Sequence, residues 1–129
     1  MRAALITGGT SGIGLAFARA LARQGHPLIV VARDHDRLAT VSADLASAFG
    51  VSVETLAADL SEPDTSARAC ALALETWGRL DGAMISVGGP AKGEVLSTPE
   101  ETYRSAFDTV VVAAIRTARD VVAAATGPV

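Results

Sequence analysis

The sequence predicts an α/β fold in which helices cover a parallel sheet. Three observations lead there. Short apolar runs alternate with stretches of helical period, the pattern of strands joined by crossover helices. The clearest run, Leu28-Ile29-Val30-Val31-Ala32, is continuously apolar, as strands buried on both faces are. A glycine-rich turn, Thr7 to Gly14, separates the first run from the first helical stretch. The chain has 129 residues, of which 50% are hydrophobic and 19% charged. That is enough apolar material for one core, and residues 1–129 are read as a single domain.

The elements follow in order. The first strand runs from about Ala3 to Thr7. The next helix carries an apolar stripe at Ile13, Ala16, Phe17, Ala20 and Leu21 and stops at Gly25. The second strand is Leu28 to Ala32. Asp34 or Asp36 caps a helix with the stripe Leu38, Val41, Leu45, Ala48 and Phe49, ended by Gly50. A third strand, about Val51 to Leu56, leads to Asp59. Ser61 caps a helix with Cys70, Leu74 and Trp77 on one face, closed by Gly78. A fourth strand, about Ala83 to Val87, runs into the turn Gly88-Gly89-Pro90. Thr98 as cap, Pro99 at the first helical position and Glu101 then form a helix start. The helix that follows, about 99–125, is apolar on more than one side through Val110 to Ile115, so it expects burial on several sides.

Composition excludes several classes. The net charge of −3, with both signs interspersed, gives no nucleic-acid surface. A single cysteine, Cys70, rules out an intramolecular disulfide and a cysteine-rich metal site. His26 and His35 both lie beside turns, and no metal constellation is expected. No apolar run reaches the ~18 residues of a membrane helix, and Ala3 to Ile6 is shorter than the apolar region of a signal peptide. The cytoplasm is the default expectation.

The turn has the spacing Gly8-x-x-x-Gly12-x-Gly14 between a strand and a helix. Gly8 supplies backbone angles closed to other residues, Gly12 keeps a side chain out of a phosphate's way, and Gly14 lets the helix lie close to the sheet. Free N–H groups at the helix start then face an anion. With Thr7 before it and Ile13 inside it, this turn resembles that of the short-chain dehydrogenase/reductase family, and the likeness extends along essentially the whole chain. It implies a Rossmann-like doubly wound parallel sheet, truncated to about four strands and four to five helices. It also implies a dinucleotide held by Gly8, Thr10, Ser11, Gly12, Ile13 and Gly14. Asp59 and Leu60 resemble the family's adenine-contacting pair. Val87, Gly88 and Gly89 stand where the family usually has Asn-Ala-Gly, with Ile85 and Ser86 replacing the usual asparagines.

The second strand ends in Ala32-Arg33. NAD-using proteins of this kind carry an acid about 20 residues past the glycines for the ribose 2′-hydroxyl. Ala32 takes that place, and Arg33 offers a fork for a 2′-phosphate, so NADP(H) is favoured over NAD(H). Ser11 replaces a second basic residue seen in some NADP-using relatives. The family's Tyr-x-x-x-Lys pair is absent: Tyr103 is the only tyrosine and is read as core, Phe107 follows four residues later, and the only lysine, Lys92, comes before it. Val110 takes the place of an Asn that often serves a proton relay. No catalytic residue is assigned. The resemblance therefore implies the nucleotide-binding half of an NADP(H)-dependent oxidoreductase that transfers hydride between nicotinamide and a carbonyl or alcohol. The alternative is a non-catalytic dinucleotide-binding or interaction module that pairs with another chain. The fourth strand is expected to be an edge. The 99–125 helix, with Val111, Val112 and Ile115 as its patch, is expected to bind a second copy or a partner chain; the alternative is that a fifth strand and later helices of one longer chain bury the patch.

Overall fold

Apolar residues with β-branched neighbours form β1 (Ala4–Thr7) and β2 (Leu28–Ala32), the two central strands of a four-stranded sheet. The computed structural model describes residues 1–89 and 92–127, so Pro90 of the expected turn lies outside the described residues. The strand order is β3-β2-β1-β4 and every pairing is parallel, with β3 at Val53–Ala57 and β4 at Gly82–Met84. The helices are α1 (Gly12–Arg23), α2 (His35–Phe49), α3 (Thr65–Trp77), α4 (Glu100–Phe107) and α5 (Ala113–Ala124), with a π-helical segment at Asp108–Val112 joining the last two.

Alternation along the strands divides the core into two layers. Leu5, Ile29 and Val31 pack with Ala69, Cys70, Ala73, Leu80 and Val121 on the α3/α5 side. Ile6, Leu28 and Val30 pack with Ala18, Ala22, Leu38 and Leu45 on the α1/α2 side. Helices on both faces of a parallel sheet make the fold doubly wound. The fourth strand is an edge, as its sequence position suggested.

Several boundaries and faces differ from expectation. β3 begins at Val53, and the Leu28 N–H, donated to the Ser52 carbonyl, opens its ladder with β2. β4 stops at Met84. Beyond it the Thr7 hydroxyl donates to the Ser86 carbonyl at 2.9 Å and accepts the Ser86 N–H at 2.8 Å, so a side chain takes over from the ladder. Asp34 caps α2 through the N–H groups of Asp36 and Arg37. Ser61 does not cap α3. Its N–H and hydroxyl both bond Asp59, and the helix starts after Asp64. Nor does Thr98 cap α4, because its hydroxyl donates to the Glu94 carbonyl and Pro99 becomes the N-cap.

The buried stripe of α1 is Gly14, Ala18 and Ala22, not the large residues. Ile13 is 74% and Phe17 46% exposed, because small residues spaced by four let the helix axis come close to the strands. Ala16 and Ala20 are exposed with them, and Leu21 is half-buried. On α2 Ala48 faces out, and on α3 Leu74 does, while Ala69, Cys70 and Ala73 form the contact. Tyr103 is not core: it is exposed, and its hydroxyl donates to the Val95 carbonyl. On the last helix Val112 is half-buried, and the exposed apolar residues are Phe107, Val111, Ile115 and Val122.

Candidate functional site

The parallel sheet places the carboxyl ends of all four strands on one side, and the residues expected to hold a dinucleotide follow those ends. Gly8 to Gly14 follow β1, Arg33 follows β2, Asp59 and Leu60 follow β3, and Val87 to Gly89 follow β4. The chain passes from β1 to β2 on one side and later places β4 on the other side of β1. In open α/β sheets ligands bind outside the carboxyl ends of the strands at such a reversal.

The turn is built by close packing of backbone on backbone. Gly8 has φ +60°, and a Cβ there would stand 2.8 Å from the Ser86 carbonyl oxygen. A Cβ on Gly14 would stand 2.1 Å from the Gly8 carbonyl oxygen. Gly14 is therefore demanded by the turn folding back on α1, a tighter constraint than the helix-to-sheet approach expected of it. Gly12 is different. It has φ +54°, and a Cβ on it would meet nothing within 4 Å. No side chain or backbone crowds the place a Cβ would take at the first residue of α1. Gly88 and Gly89 likewise face open space.

Ser11 is the N-cap of α1 in extended geometry, and its side chain makes no capping bond. The first N–H groups of the helix thus lack a side-chain partner, and its positive end faces the open space at Gly12. Thr10 is half-buried, whereas Ser11 and Ile13 are exposed. A pyrophosphate fits these features: a bare backbone, uncapped donors and no side chain in the way.

Arg33 is exposed at the end of β2, and among the described residues no carboxylate forms an ion pair with it. Asp59 is half-buried. Its Oδ1 accepts the Ser61 N–H at 2.9 Å and the Ser61 hydroxyl at 2.8 Å, which leaves Oδ2 for another donor. The Ser61 N–H, then its hydroxyl, hold the Asp59 carboxyl below the usual range, and the Arg33 guanidinium adds to this. Leu60, beyond β3, and Val87, beyond β4, are both half-buried. Sequence reasoning left Thr7 and Ser86 out of the site. Their paired hydrogen bonds fix the segment leading to Val87 against the glycine turn, and the signal was a threonine closing an otherwise apolar strand.

The Cys70 thiol is pushed up to about 11, by burial first and then by Asp120, which keeps it a protonated thiol at neutral pH. Among the described residues, no three His, Cys, Asp or Glu side chains gather as a metal site, and no helix is long and apolar enough to cross a membrane.

Comparison with known proteins agrees with this geometry. The family described as short chain dehydrogenase matches residues 2–127. An uncharacterized oxidoreductase of Mycobacterium tuberculosis is 34% identical over 106 residues, covering 82% of this chain and 40% of that protein. The L-sorbose reductase of Gluconobacter frateurii, solved with NADPH and L-sorbose, superposes with a TM-score of 0.89 at 31% identity, over 95% of this chain and 47% of the reductase. The 3-oxoacyl-acyl-carrier-protein reductase of Brucella melitensis, solved with NAD, superposes at 0.85 with 29% identity, over 95% of this chain and 48% of that one. The chain thus spans about half the length of the relatives it matches.

Proposed function

The chain belongs to the short chain dehydrogenase family of oxidoreductases, and from that premise we propose that it carries the nucleotide site of an NADP(H)-dependent enzyme acting on a carbonyl or alcohol. The observation that carries this reading is the opening at Gly12, where uncapped N–H groups of α1 meet space free of side chains. Gly8 and Gly14 shape that turn, and the backbone of Thr10 to Ile13 borders the pyrophosphate. Asp59 and Leu60 border the adenine, and Val87, Gly88 and Gly89 border the ribose nearer the nicotinamide. The nicotinamide supplies the hydride-transfer chemistry, and these residues bind and orient the nucleotide around it.

Arg33 gives the preference for NADP(H). It stands without an ion-pair partner among the described residues, at the strand end where a 2′-phosphate would come. The L-sorbose reductase was solved with NADPH and the Brucella reductase with NAD, so likeness alone does not choose between them. Arg33→Ala decides. It should weaken NADPH binding by about 1.5–3 kcal/mol, the range for a charged hydrogen-bonding partner, and leave NADH nearly unchanged. Equal losses for both nucleotides, read by nicotinamide fluorescence, would refute the role.

The sequence offers no Tyr-x-x-x-Lys pair for proton transfer, and the hydroxyl of its only tyrosine is engaged with the Val95 carbonyl. On this reading the chain's own residues hold the nucleotide, and the proton-transfer groups come from elsewhere. The exposed apolar side of the last helix is where we place contact with a second copy.

A further inference from the structure

The nucleotide site holds two opposite charges at one corner. β2 and β3 end side by side: Ala32 pairs with Ala57, and the Ala58 N–H donates to the Ala32 carbonyl at 3.0 Å. Arg33 is the next residue after β2, and Asp59 comes directly after Ala58 beyond β3. Arg33 is exposed and free to turn. Asp59 is not free. Ser61 grips its Oδ1 twice, and the hydroxyl of fully buried Thr65 donates to its backbone carbonyl at 2.7 Å. Two donors on one oxygen favour the ionised form, and the carboxyl is held below the usual range. A fixed negative charge therefore stands beside a flexible positive one.

We propose that Asp59 is a specificity-determining residue that opposes Arg33, holding down the preference for NADPH over NADH. The inference rests on the reading that the nucleotide lies with its adenosine end across β2 and β3. A carboxylate repels a 2′-phosphate but acts little on a neutral 2′-hydroxyl. Any bond that Asp59 makes to the adenine amino group is common to both nucleotides and cancels in their ratio. Charge alone remains in that ratio.

The test is the ratio of NADH to NADPH dissociation constants, measured by nicotinamide fluorescence for the wild-type chain and for Asp59→Asn. Asparagine keeps a carbonyl oxygen for Ser61 and removes the charge, and the NH2 that replaces Oδ2 affects both nucleotides alike. The ratio should rise roughly three- to tenfold at low salt, as expected for a charge several ångströms from a phosphate in a partly screened site. The rise should shrink in about 1 M salt, where the Debye length is about 3 Å. If Asp59→Asn loses its melting transition, Asp59→Ser, which also offers an oxygen to Ser61, gives the same reading. A ratio that stays level or falls overturns the inference while leaving the Arg33 assignment standing. A wild-type chain that binds neither nucleotide overturns the site and this inference together.

Discussion

Single glycines in the turn do different work, and substitution separates them. Gly14 packs inside the fold, since its missing Cβ would collide with the Gly8 carbonyl at 2.1 Å. Gly14→Ala must move backbone, and it should cost about 3 kcal/mol, the upper end for overpacking. Gly12 has open space where a Cβ would sit, but its φ of +54° is left-handed. Gly12→Ala should cost only about 1–2 kcal/mol and leave the chain folded. Its added methyl enters the space assigned to the pyrophosphate, so it should lower NADPH affinity strongly. Urea midpoints and NADPH titration of the two variants give opposite orders: Gly14→Ala is the worse for stability, and Gly12→Ala is the worse for binding per unit of stability lost. Equal behaviour in both assays would show that Gly12 is merely structural.

Among the elements, β4 depends most on polar anchors. It has three residues and one neighbour, and Asp81 pins its start. The Asp81 carboxylate accepts the Ala3 N–H at 2.8 Å and pairs with the Arg79 guanidinium through two hydrogen bonds of 2.6 and 2.8 Å. The Arg79 bonds, reinforced by the Ala3 N–H, bring its pKa from 3.8 to about 2. A carboxylate whose folded value is the lower stabilises the fold above its unfolded value, and that share is lost as pH falls from about 4 to 2. Asp81→Asn should therefore be less stable than wild type at pH 6 and nearly equal to it at pH 2. Parallel urea melts at the two values check this, and a constant difference would disprove the linkage. Short elements like β4 were also the hardest to read. The alternation of strand and helix was legible because periods of two and 3.6 leave long apolar traces, and β2 matched residue for residue. The buried side of α1 was not legible, because Gly14, Ala18 and Ala22 carry almost no hydropathy while Ile13 and Phe17 carry much. Capping misled where a nearby acceptor engaged the hydroxyl as a donor. Ser61 and Thr98 found local partners in Asp59, two residues back, and in the Glu94 carbonyl, four residues back, the short-range bonds that compete with capping. The glycine turn was legible because its residues are fixed by backbone geometry, whereas the Thr7–Ser86 clasp joins positions 79 apart in sequence.

At the scale of the whole molecule, one ordered row of exposed apolar side chains runs along the last helical stretch. Tyr103, Phe107, Val111 and Ile115 succeed one another at intervals of four, and all four are exposed, with Val122 at 64% further along. The opposite side of the same stretch is spent on the core, where Ala113, Thr117 and Val121 are buried against α3. The π-helical segment at Asp108–Val112 adds a residue to one turn and rotates α5 relative to α4. Phe107 and Ile115 thereby stay on the outer side together. A row of four large apolar side chains is more than the single scattered ones normal for a protein surface, and it is the place where a contact would be sought. If a second copy covers it, Ile115→Glu should convert dimer to monomer at tens of micromolar by sedimentation. Ile115 is 52% exposed, so a charge there should cost the monomer little stability. Val112, half-buried, would confound the same experiment by disturbing the fold. A wild-type chain that sediments as a well-folded monomer would remove the second copy from this surface, and a dimer that survives Ile115→Glu would place the contact elsewhere.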